Sequence, residues 1–282
     1  MNMSAPDFLA VGHVTLDRFS DGARPGGAAL YAAVTAQRLG FSAGILTSHG
    51  QDFPLDAIPP QIEVVSVPAA RTTVFAYADG GGRRRLRLES EAAPLGRAAV
   101  PDDWLDAPLV LLSPVLAEVD PGLADVFSEA TTAAAAQGWL RRPGFQGIID
   151  SEPWAPPATL LSRLQALFVS TEDIEGQEAE LHQWMQRLPV AVVTAGPAGA
   201  LLYVNGDRYE VKPRRAREVD DTGAGDVFAA AFMIQYHLGG DPWEAAAAAT
   251  CAASLSVEAQ GWSAVPDRSR MEATLAEYLK RT

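Results

Sequence analysis

The chain has 282 residues, of which 48% are hydrophobic and 20% are charged. This balance is typical of a globular protein and excludes disordered, collagen-like and coiled-coil chains. The formal net charge of −13 disfavours nucleic acid and anionic membranes as partners, because both need basic surfaces. The single cysteine, Cys251, excludes an intrachain disulfide. We find no signal peptide and no apolar run of the roughly 20 residues that a membrane helix needs, so we expect a cytoplasmic protein.

Short apolar runs alternate along the chain with longer stretches of helical composition. The runs predict strands at residues 8–11, 42–46, 109–112, 147–149, 166–169 and 190–194. The longer stretches predict helices at residues 28–39, 120–137, 157–164, 175–187, 227–238 and 242–259. This alternation predicts right-handed crossovers and a mostly parallel sheet that is covered by helices.

Two segments interrupt the alternation with hairpin patterns. Residues 72–77 and 84–88 alternate with period two around a glycine-rich turn at 79–82, and Asn205 and Gly206 mark a second tight turn. The first hairpin carries the densest basic cluster, which consists of Arg83, Arg84, Arg85 and Arg87. Either the cluster attracts an anion, or it keeps an exposed sheet edge from aggregating, and we favour the second interpretation.

The motif with the clearest chemistry is Gly223, Ala224, Gly225 and Asp226, where a loop meets a predicted helix. Small residues expose backbone N–H groups, and a helix N-terminus carries about half a positive charge, so the motif suits a phosphate. A carboxylate in that first turn could take a proton from an attacking hydroxyl. The motif therefore predicts phosphoryl transfer, although a glycine-rich helix start with an acidic residue would look the same.

The surrounding residues resemble the ribokinase-like (PfkB) family of carbohydrate kinases. Residues 220–226 match the family's C-terminal signature, except that Asp221 replaces a threonine. The glycine pair Gly26 and Gly27 before a helix, the segment 12–17 after the first strand, and the segment 194–200 resemble three further family motifs, in family order. The resemblance implies one α/β domain over residues 1–282, with three layers around a mostly parallel central sheet. It also implies a small, reduced β lid at about residues 13–25 and 70–90.

The resemblance also assigns roles to residues. Asp226 would be the catalytic base, and Gly223, Ala224 and Gly225 would form an anion hole. Asp17, Gly26, Gly27 and Tyr31 would bind the substrate, and Thr194, Gly196, Gly199 and Thr222 would lie against ATP. Residues 250–254 would cover the adenine with small side chains. Mg²⁺ would bridge the phosphates. The family's metal motif is best matched at residues 172–175, where Glu175 fits the motif and Glu172 replaces an asparagine. A monovalent cation is a further option.

The substrate implied is a sugar or a polyol. Tyr31 stands where many sugar kinases of the family have asparagine. An aromatic residue at this position and a strand like residues 72–75 are similar to the inositol kinases of the family. This similarity favours a cyclitol such as myo-inositol. A nucleoside kinase is an alternative, with Tyr31 and either Phe75 or Tyr77 around a base. A catalytically weak ligand-binding or regulatory homologue is another. Monomer and homodimer both remain open, as do site or loop roles for His13 and Asp150.

Overall fold

A computed structural model of the chain describes residues 4–80 and 83–281, without the side chains of residues 78–80 and 83–85. The centre of the predicted glycine turn, at residues 81 and 82, lies outside the described residues. So do the side chains of Arg83, Arg84 and Arg85, three members of the predicted basic cluster.

The described chain contains fifteen strands and seven α-helices. The strands are β1 (Phe8–Val11), β2 (Thr15–Phe19), β3 (Gly22–Gly26), β4 (Ala43–His49), β5 (Ile62–Pro68), β6 (Thr73–Gly80), β7 (Arg83–Ser90), β8 (Leu109–Leu112), β9 (Thr131–Ala135), β10 (Arg141–Pro143), β11 (Ile149–Ser151), β12 (Ala166–Ser170), β13 (Val190–Thr194), β14 (Ala200–Val204) and β15 (Asp207–Val211). The helices are α1 (Ala28–Arg38), α2 (Leu123–Val126), α3 (Ala158–Arg163), α4 (Glu178–Met185), α5 (Ala224–Gly239), α6 (Pro242–Ser256) and α7 (Arg268–Leu279).

The central sheet has nine strands in the order β15-β14-β13-β12-β9-β8-β1-β4-β5. The strands from β13 to β5 pair in parallel, and the hairpin of β14 and β15 adds antiparallel pairing at one edge. Helices α1, α5 and α6 contribute to the buried core on one face, and α2, α3 and α4 to the core on the other. These three layers confirm the predicted fold.

The interior of the sheet explains why short apolar runs predicted its strands. All four residues of β1 and all four of β8 are buried, as expected for parallel strands that are covered by helices on both faces. The carboxyl ends of five neighbouring strands lie side by side at one end of the central sheet, its carboxyl edge, and these strands are β1, β8, β9, β12 and β13. Ligands of open α/β sheets bind at this edge.

The predicted helix at residues 120–137 was wrong. Only Leu123–Val126 is α-helical, and Thr131–Ala135 forms β9 in the middle of the central sheet, between β8 and β12. Alanine has the highest helix propensity, but Ala133 and Ala134 are almost completely buried between neighbouring strands. Tertiary packing thus overrides the local preference of an alanine-rich segment.

The predicted strand at residues 147–149 was also misplaced. The strand there is β11, which pairs with β10 in a separate antiparallel hairpin and is not part of the central sheet. Gln146, at the turn, has a positive φ of 55°. The short apolar run that predicted this strand does not distinguish a strand of the central sheet from a strand of a separate hairpin.

A second, four-stranded sheet has the order β3-β2-β6-β7. The eight residues that separate Asp17 from Gly26 suffice for a tight hairpin, in which Asp17 pairs with Arg24. Strand β2 then pairs in parallel with β6, whose hairpin partner is β7. The two segments expected to form a lid therefore share one small sheet, and a lid function stays a prediction.

Among the described helices, none has both the length and the hydropathy required to cross a bilayer.

Candidate active site

A cavity of about 290 Å³ lies between the small sheet and the carboxyl edge of the central sheet. Strands β2, β6 and β7 supply one wall, and the other wall comes from α1, the segments after β8, β9 and β12, and the start of α5. The lining residues are Thr15, Asp17, Gly27, Ala28, Tyr31, Phe75, Tyr77, Leu86, Val115, Gln137, Arg141, Glu172, Asp221, Thr222, Gly223 and Asp226. The cavity thus brings several predicted catalytic and substrate residues together.

Asp226 lies in the first turn of α5, and only 7% of its surface is exposed. The amide of Gln137 donates a long hydrogen bond of 3.5 Å to its Oδ1 atom. Burial raises the pKa of Asp226 from the ordinary 3.8 to about 7, while the positive charge of Arg141 acts in the opposite direction. A carboxylate with a pKa near neutrality can accept a proton from a hydroxyl and release it again.

The N-terminus of α5 begins with a tight turn at Gly223, whose φ of 76° is left-handed. A β-carbon there would lie 2.3 Å from Cδ1 of Tyr31, so only glycine allows the turn to pack against that ring. At Gly225, by contrast, a β-carbon would meet nothing within 4 Å. The N–H of Ala224 donates to the carbonyl of Asp221 at 3.2 Å, and the N–H groups of Gly225 and Asp226 follow in the first turn, where an α-helix has no internal acceptors.

Asp17 lies on β2, opposite α5, and is 4% exposed. The hydroxyl of Thr15 donates a hydrogen bond of 2.9 Å to its Oδ1, and burial raises the pKa of Asp17 to about 6. A β-carbon at Gly26 would lie 2.2 Å from Oδ2 of Asp17, so this glycine gives the carboxylate its space. Gly27 itself lines the cavity and begins α1 as its N-cap residue.

Tyr31 lies on α1 with only 3% of its surface exposed. Burial and the nearby carboxylates of Asp220, Asp17 and Asp226 raise the pKa of its phenol, so it stays protonated. Its ring packs under Gly223, as the close approach of that glycine shows. Tyr31 therefore supports the turn before α5 in addition to lining the cavity.

Gln137 and Arg141 are two polar cavity residues that sequence analysis missed. Both follow β9, the strand that was mistaken for a helix. The missed signal is the pair of β-branched residues Thr131 and Thr132, at the start of a short run of small residues that is buried after its first position. Residues that follow such a strand lie at the carboxyl edge of the sheet, where ligands bind.

The residues predicted to contact ATP lie in two places. Thr222 lines the cavity, and its buried hydroxyl has no hydrogen-bond partner among the described residues. Thr194 ends β13, and Gly196 and Gly199 flank the turn after it, outside the set that lines the cavity. Their roles in ATP binding stay predictions.

The predicted metal residue Glu175 is exposed and does not line the cavity, whereas Glu172 does. In the described part of the chain, no three His, Cys, Asp or Glu side chains are grouped closely enough to hold a metal ion. This donor set does not fit a metal that is held by the protein alone. Mg²⁺ keeps several waters and binds through phosphate oxygens and one or two carboxylates, so it needs fewer protein ligands, and its site in this chain stays a prediction.

Neither His13 nor Asp150 is among the residues that line the cavity. His13 is buried, and its Nε2 lies 2.8 Å from the carbonyl oxygen of Ala93, so Nε2 carries the proton and donates. The Thr73 hydroxyl then donates to Nδ1 at 2.8 Å. Asp150 is exposed on the hairpin of β10 and β11. Both polar atoms of the His13 ring are thus used within the protein.

Known proteins that are similar to this chain are kinases. The family model for pfkB family carbohydrate kinases matches residues 123–268, just over half of the chain. The cytidine kinase of Thermococcus kodakarensis is 28% identical over 255 residues, which are 83% of this chain and 89% of that protein. The inositol 3-kinase of Arabidopsis thaliana is 27% identical over 222 residues, 74% of this chain and 60% of that protein.

The fold has solved counterparts. The structure of a pyrophosphate-dependent kinase in the ribokinase family, complexed with a pyrophosphate analog and myo-inositol, superimposes with a TM-score of 0.79 at 21% identity. That match covers 94% of this chain and 99% of the other. The match to the family model extends from α2 into the start of α7 and includes Asp226. The chain belongs to the pfkB family of carbohydrate kinases.

Proposed function

We propose that this kinase transfers the γ-phosphoryl group of ATP to a hydroxyl of a sugar or polyol, with Asp226 as the catalytic base. The observation that carries the proposal is the position of Asp226: a buried carboxylate in the first turn of α5, in one cavity with Asp17. The base, the acceptor-binding carboxylate and the helix N-terminus thereby meet in one small space. Phosphoryl transfer needs little more than such positioning and charge stabilisation.

The residues act as follows. Asp17 accepts hydrogen bonds from acceptor hydroxyls and orients one of them toward Asp226. Asp226 takes the proton of that hydroxyl while its oxygen forms a bond to the γ-phosphorus. The bond from that phosphorus to the β,γ-bridging oxygen breaks, and ADP leaves with the electron pair. The N–H groups in the first turn of α5 donate to the phosphoryl oxygens.

Two observations support a phosphate in front of α5. The open space at Gly225 leaves the helix N-terminus accessible, and Thr222, which directly precedes Gly223, lines the same cavity. Mg²⁺, when bound, would neutralise charge on the phosphates, with Glu172 as the cavity residue available to it or to its waters. Thr194, Gly196 and Gly199 would contact the nucleotide beyond the phosphates, as the family resemblance implies.

The composition of the cavity supports a small polyhydroxylated acceptor. Asp17, Thr15 and Gln137 offer carboxylate, hydroxyl and amide groups for several hydroxyls, and Phe75 and Leu86 offer apolar surface for ring carbons. A volume of about 290 Å³ suits an acceptor of the size of a single ring together with a phosphoryl group. The similarity to an inositol 3-kinase supports a cyclitol within this class.

The acidic chain with one buried cysteine also supports a cytoplasmic site of action.

A nucleoside is the second candidate acceptor. The similarity to a cytidine kinase and the aromatic residues Phe75 and Tyr77 in the cavity wall favour it. However, Tyr77 stacks on Phe19 at 4.6 Å between ring centroids, and Tyr31 packs against Gly223. Each of these contacts covers one face of the ring, so a base would have only the other face for stacking, and we favour the sugar or polyol.

The test is a product-release assay with sugars, cyclitols and nucleosides as acceptors and with MgATP or pyrophosphate as donor. We expect acceptor-dependent release of ADP, and a loss of kcat by at least about 1,000-fold in Asp226→Asn with acceptor binding retained. Asp241→Asn is the matched control, because Asp241 is the N-cap of the neighbouring α6 and asparagine caps equally well. An Asp226→Asn enzyme as active as the Asp241→Asn enzyme would contradict the mechanism.

A further inference from the structure

Arg141 is the one cationic side chain among the described residues that line the cavity. It shares the cavity with four carboxylates, those of Asp17, Glu172, Asp221 and Asp226. A phosphoryl donor brings further negative charge into the same space. Among the described residues that line the cavity, Arg141 is therefore the one whose positive charge can balance the charges of the carboxylates and of the phosphoryl donor.

The fold holds Arg141 in place from two directions. It is the first residue of β10, where it pairs with Ser151 of β11, and the N–H of Glu152 donates to the carbonyl of Leu140 at 2.8 Å. At its other end the hairpin contacts the small sheet, where Ile148 bridges to Arg87 of β7. The half-buried Arg141 is thus anchored between the end of β9 and the small sheet.

Building on the proposed function, we propose that Arg141 is a catalytic residue whose guanidinium donates hydrogen bonds to the non-bridging oxygens of the phosphoryl group during transfer. Its planar array of N–H donors matches the spacing of phosphate oxygens. The guanidinium gains and loses no proton in this step. The acceptor proton still goes to Asp226, and the electron pair still leaves with the donor's remaining phosphate.

A second role for Arg141 has to be distinguished from this one. Its charge lowers the pKa of Asp226 and of Asp17 against the effect of burial. The groups that act on Asp226 are the charges of Arg141, Asp173 and Asp17 and the amide of Gln137. If Arg141 served only to hold Asp226 ionised, a variant without it would need a higher pH but would recover full kcat there.

The experiment compares Arg141→Ala and Arg141→Lys with Arg142→Ala across pH 5.5–9.5, using the parent's best donor and acceptor. Arg142 is the matched control, since it is exposed and pairs with Glu152 at 3.2 Å. We expect Arg141→Ala to lose about 100- to 1,000-fold in kcat at every pH, with the acceptor KM changed less than about 3-fold. Added guanidinium should restore about 10-fold in Arg141→Ala and nothing in Asp226→Asn, and Arg141→Lys should be intermediate.

Full recovery of kcat at high pH, or a loss without guanidinium rescue in a folded Arg141→Ala, would overturn the catalytic role. If Arg141→Ala does not fold, Arg141→Lys decides the question, because an undiminished kcat there would overturn a need for the planar donors. A parent without acceptor-dependent turnover would overturn the proposed function as well. An active parent beside an equally active Arg141→Ala would overturn this inference alone.

Discussion

At the scale of single residues, the site depends on carboxylates that the fold keeps out of water. Asp17 and Asp226 lie on opposite walls of one cavity, and burial raises the pKa of each well above the ordinary value. Such a shift is unfavourable for folding but useful for proton transfer near neutral pH. The glycines near these carboxylates also differ, because some are needed for packing and others for the proposed chemistry.

Gly223 and Gly225 should respond differently to alanine. Gly223→Ala places a methyl group against Tyr31 in a left-handed backbone, so we expect a free energy of unfolding lower by about 2 kcal/mol or more. Gly225→Ala enters open space within a helix, so its stability should be unchanged or about 0.5–1 kcal/mol higher. Its kcat should still fall about 10-fold or more, because the methyl group occupies the proposed phosphate position. Urea denaturation and the kinase assay measure the two effects, and equal losses of stability would contradict this distinction.

The raised pKa of Asp226 predicts a specific dependence of stability on pH. Between the ordinary pKa of 3.8 and the folded value of about 7, the folded protein holds a proton that the unfolded chain has lost. The free energy of unfolding therefore decreases as the pH rises through this window and levels off above it. Asp226→Asn removes this dependence, so at pH 8 it should be more stable than the parent by roughly 2–4 kcal/mol.

The corresponding measurement is urea denaturation of both proteins at pH 4, 6 and 8. Asp17, whose pKa is also raised, is present in both proteins, so its contribution largely cancels. The difference between the two proteins should shrink toward zero at pH 4. A difference that is independent of pH would show that Asp226 is not destabilised by burial.

At the scale of elements, the small sheet forms one wall of the cavity. Tyr77 on β6 lines the cavity, and its ring stacks on Phe19 of β2 with an interplanar angle of 10°. The guanidinium of Arg24 on β3 lies 4.6 Å from the centroid of the Phe19 ring. Three strands of the small sheet are thereby coupled to the position of one cavity side chain.

Phe19→Ala should loosen this wall without unfolding the domain. Loss of an aromatic stack of about 0.5–1.5 kcal/mol frees Tyr77, so we expect the acceptor KM to rise roughly 3- to 10-fold while kcat changes less. Steady-state kinetics and thermal melting check the effect. Phe145→Ala is the control, since this aromatic residue is 81% exposed on the hairpin of β10 and β11. A similar change of KM in the control would contradict a specific role of the stack.

At the scale of the whole molecule, two hydrophobic cores on the faces of one sheet hold the domain together. Beside these cores, the reactivity of the single cysteine measures how tightly α7 packs against α6. Cys251 of α6 is completely buried, with Tyr278 of α7 in the same cluster, and burial raises the pKa of its thiol to about 11. Both the inaccessibility and the small thiolate fraction make the folded thiol unreactive.

We therefore expect an aromatic disulfide reagent at pH 8 to label the native protein at least about 1,000-fold more slowly than the urea-unfolded chain. Labelling should reach one thiol per chain and should follow the rate of unfolding. Cys251→Ser gives the blank. Fast labelling of the native protein would instead show that α7 separates readily from α6.

Local sequence patterns determined the α/β class, because runs buried between two helical layers must be apolar throughout. They also determined the candidate base, since the small residues before Asp226 form a recognisable helix start. The residues Asp17 and Gly27 were predicted from family resemblance, and the structure places both in the cavity with Asp226. Their catalytic and binding roles stay predictions for the experiments above.

Only the tertiary structure determined that the alanine-rich segment at Thr131–Ala135 is a central strand. Its own propensity favours a helix, and only the neighbouring strands β8 and β12 supply the hydrogen bonds that outweigh this preference. Because β9 ends at the carboxyl edge of the sheet, Gln137 and Arg141 line one cavity with Asp226, although they belong to a distant part of the chain. No local pattern records that proximity, because it arises from strand order and burial and not from the spacing of residues.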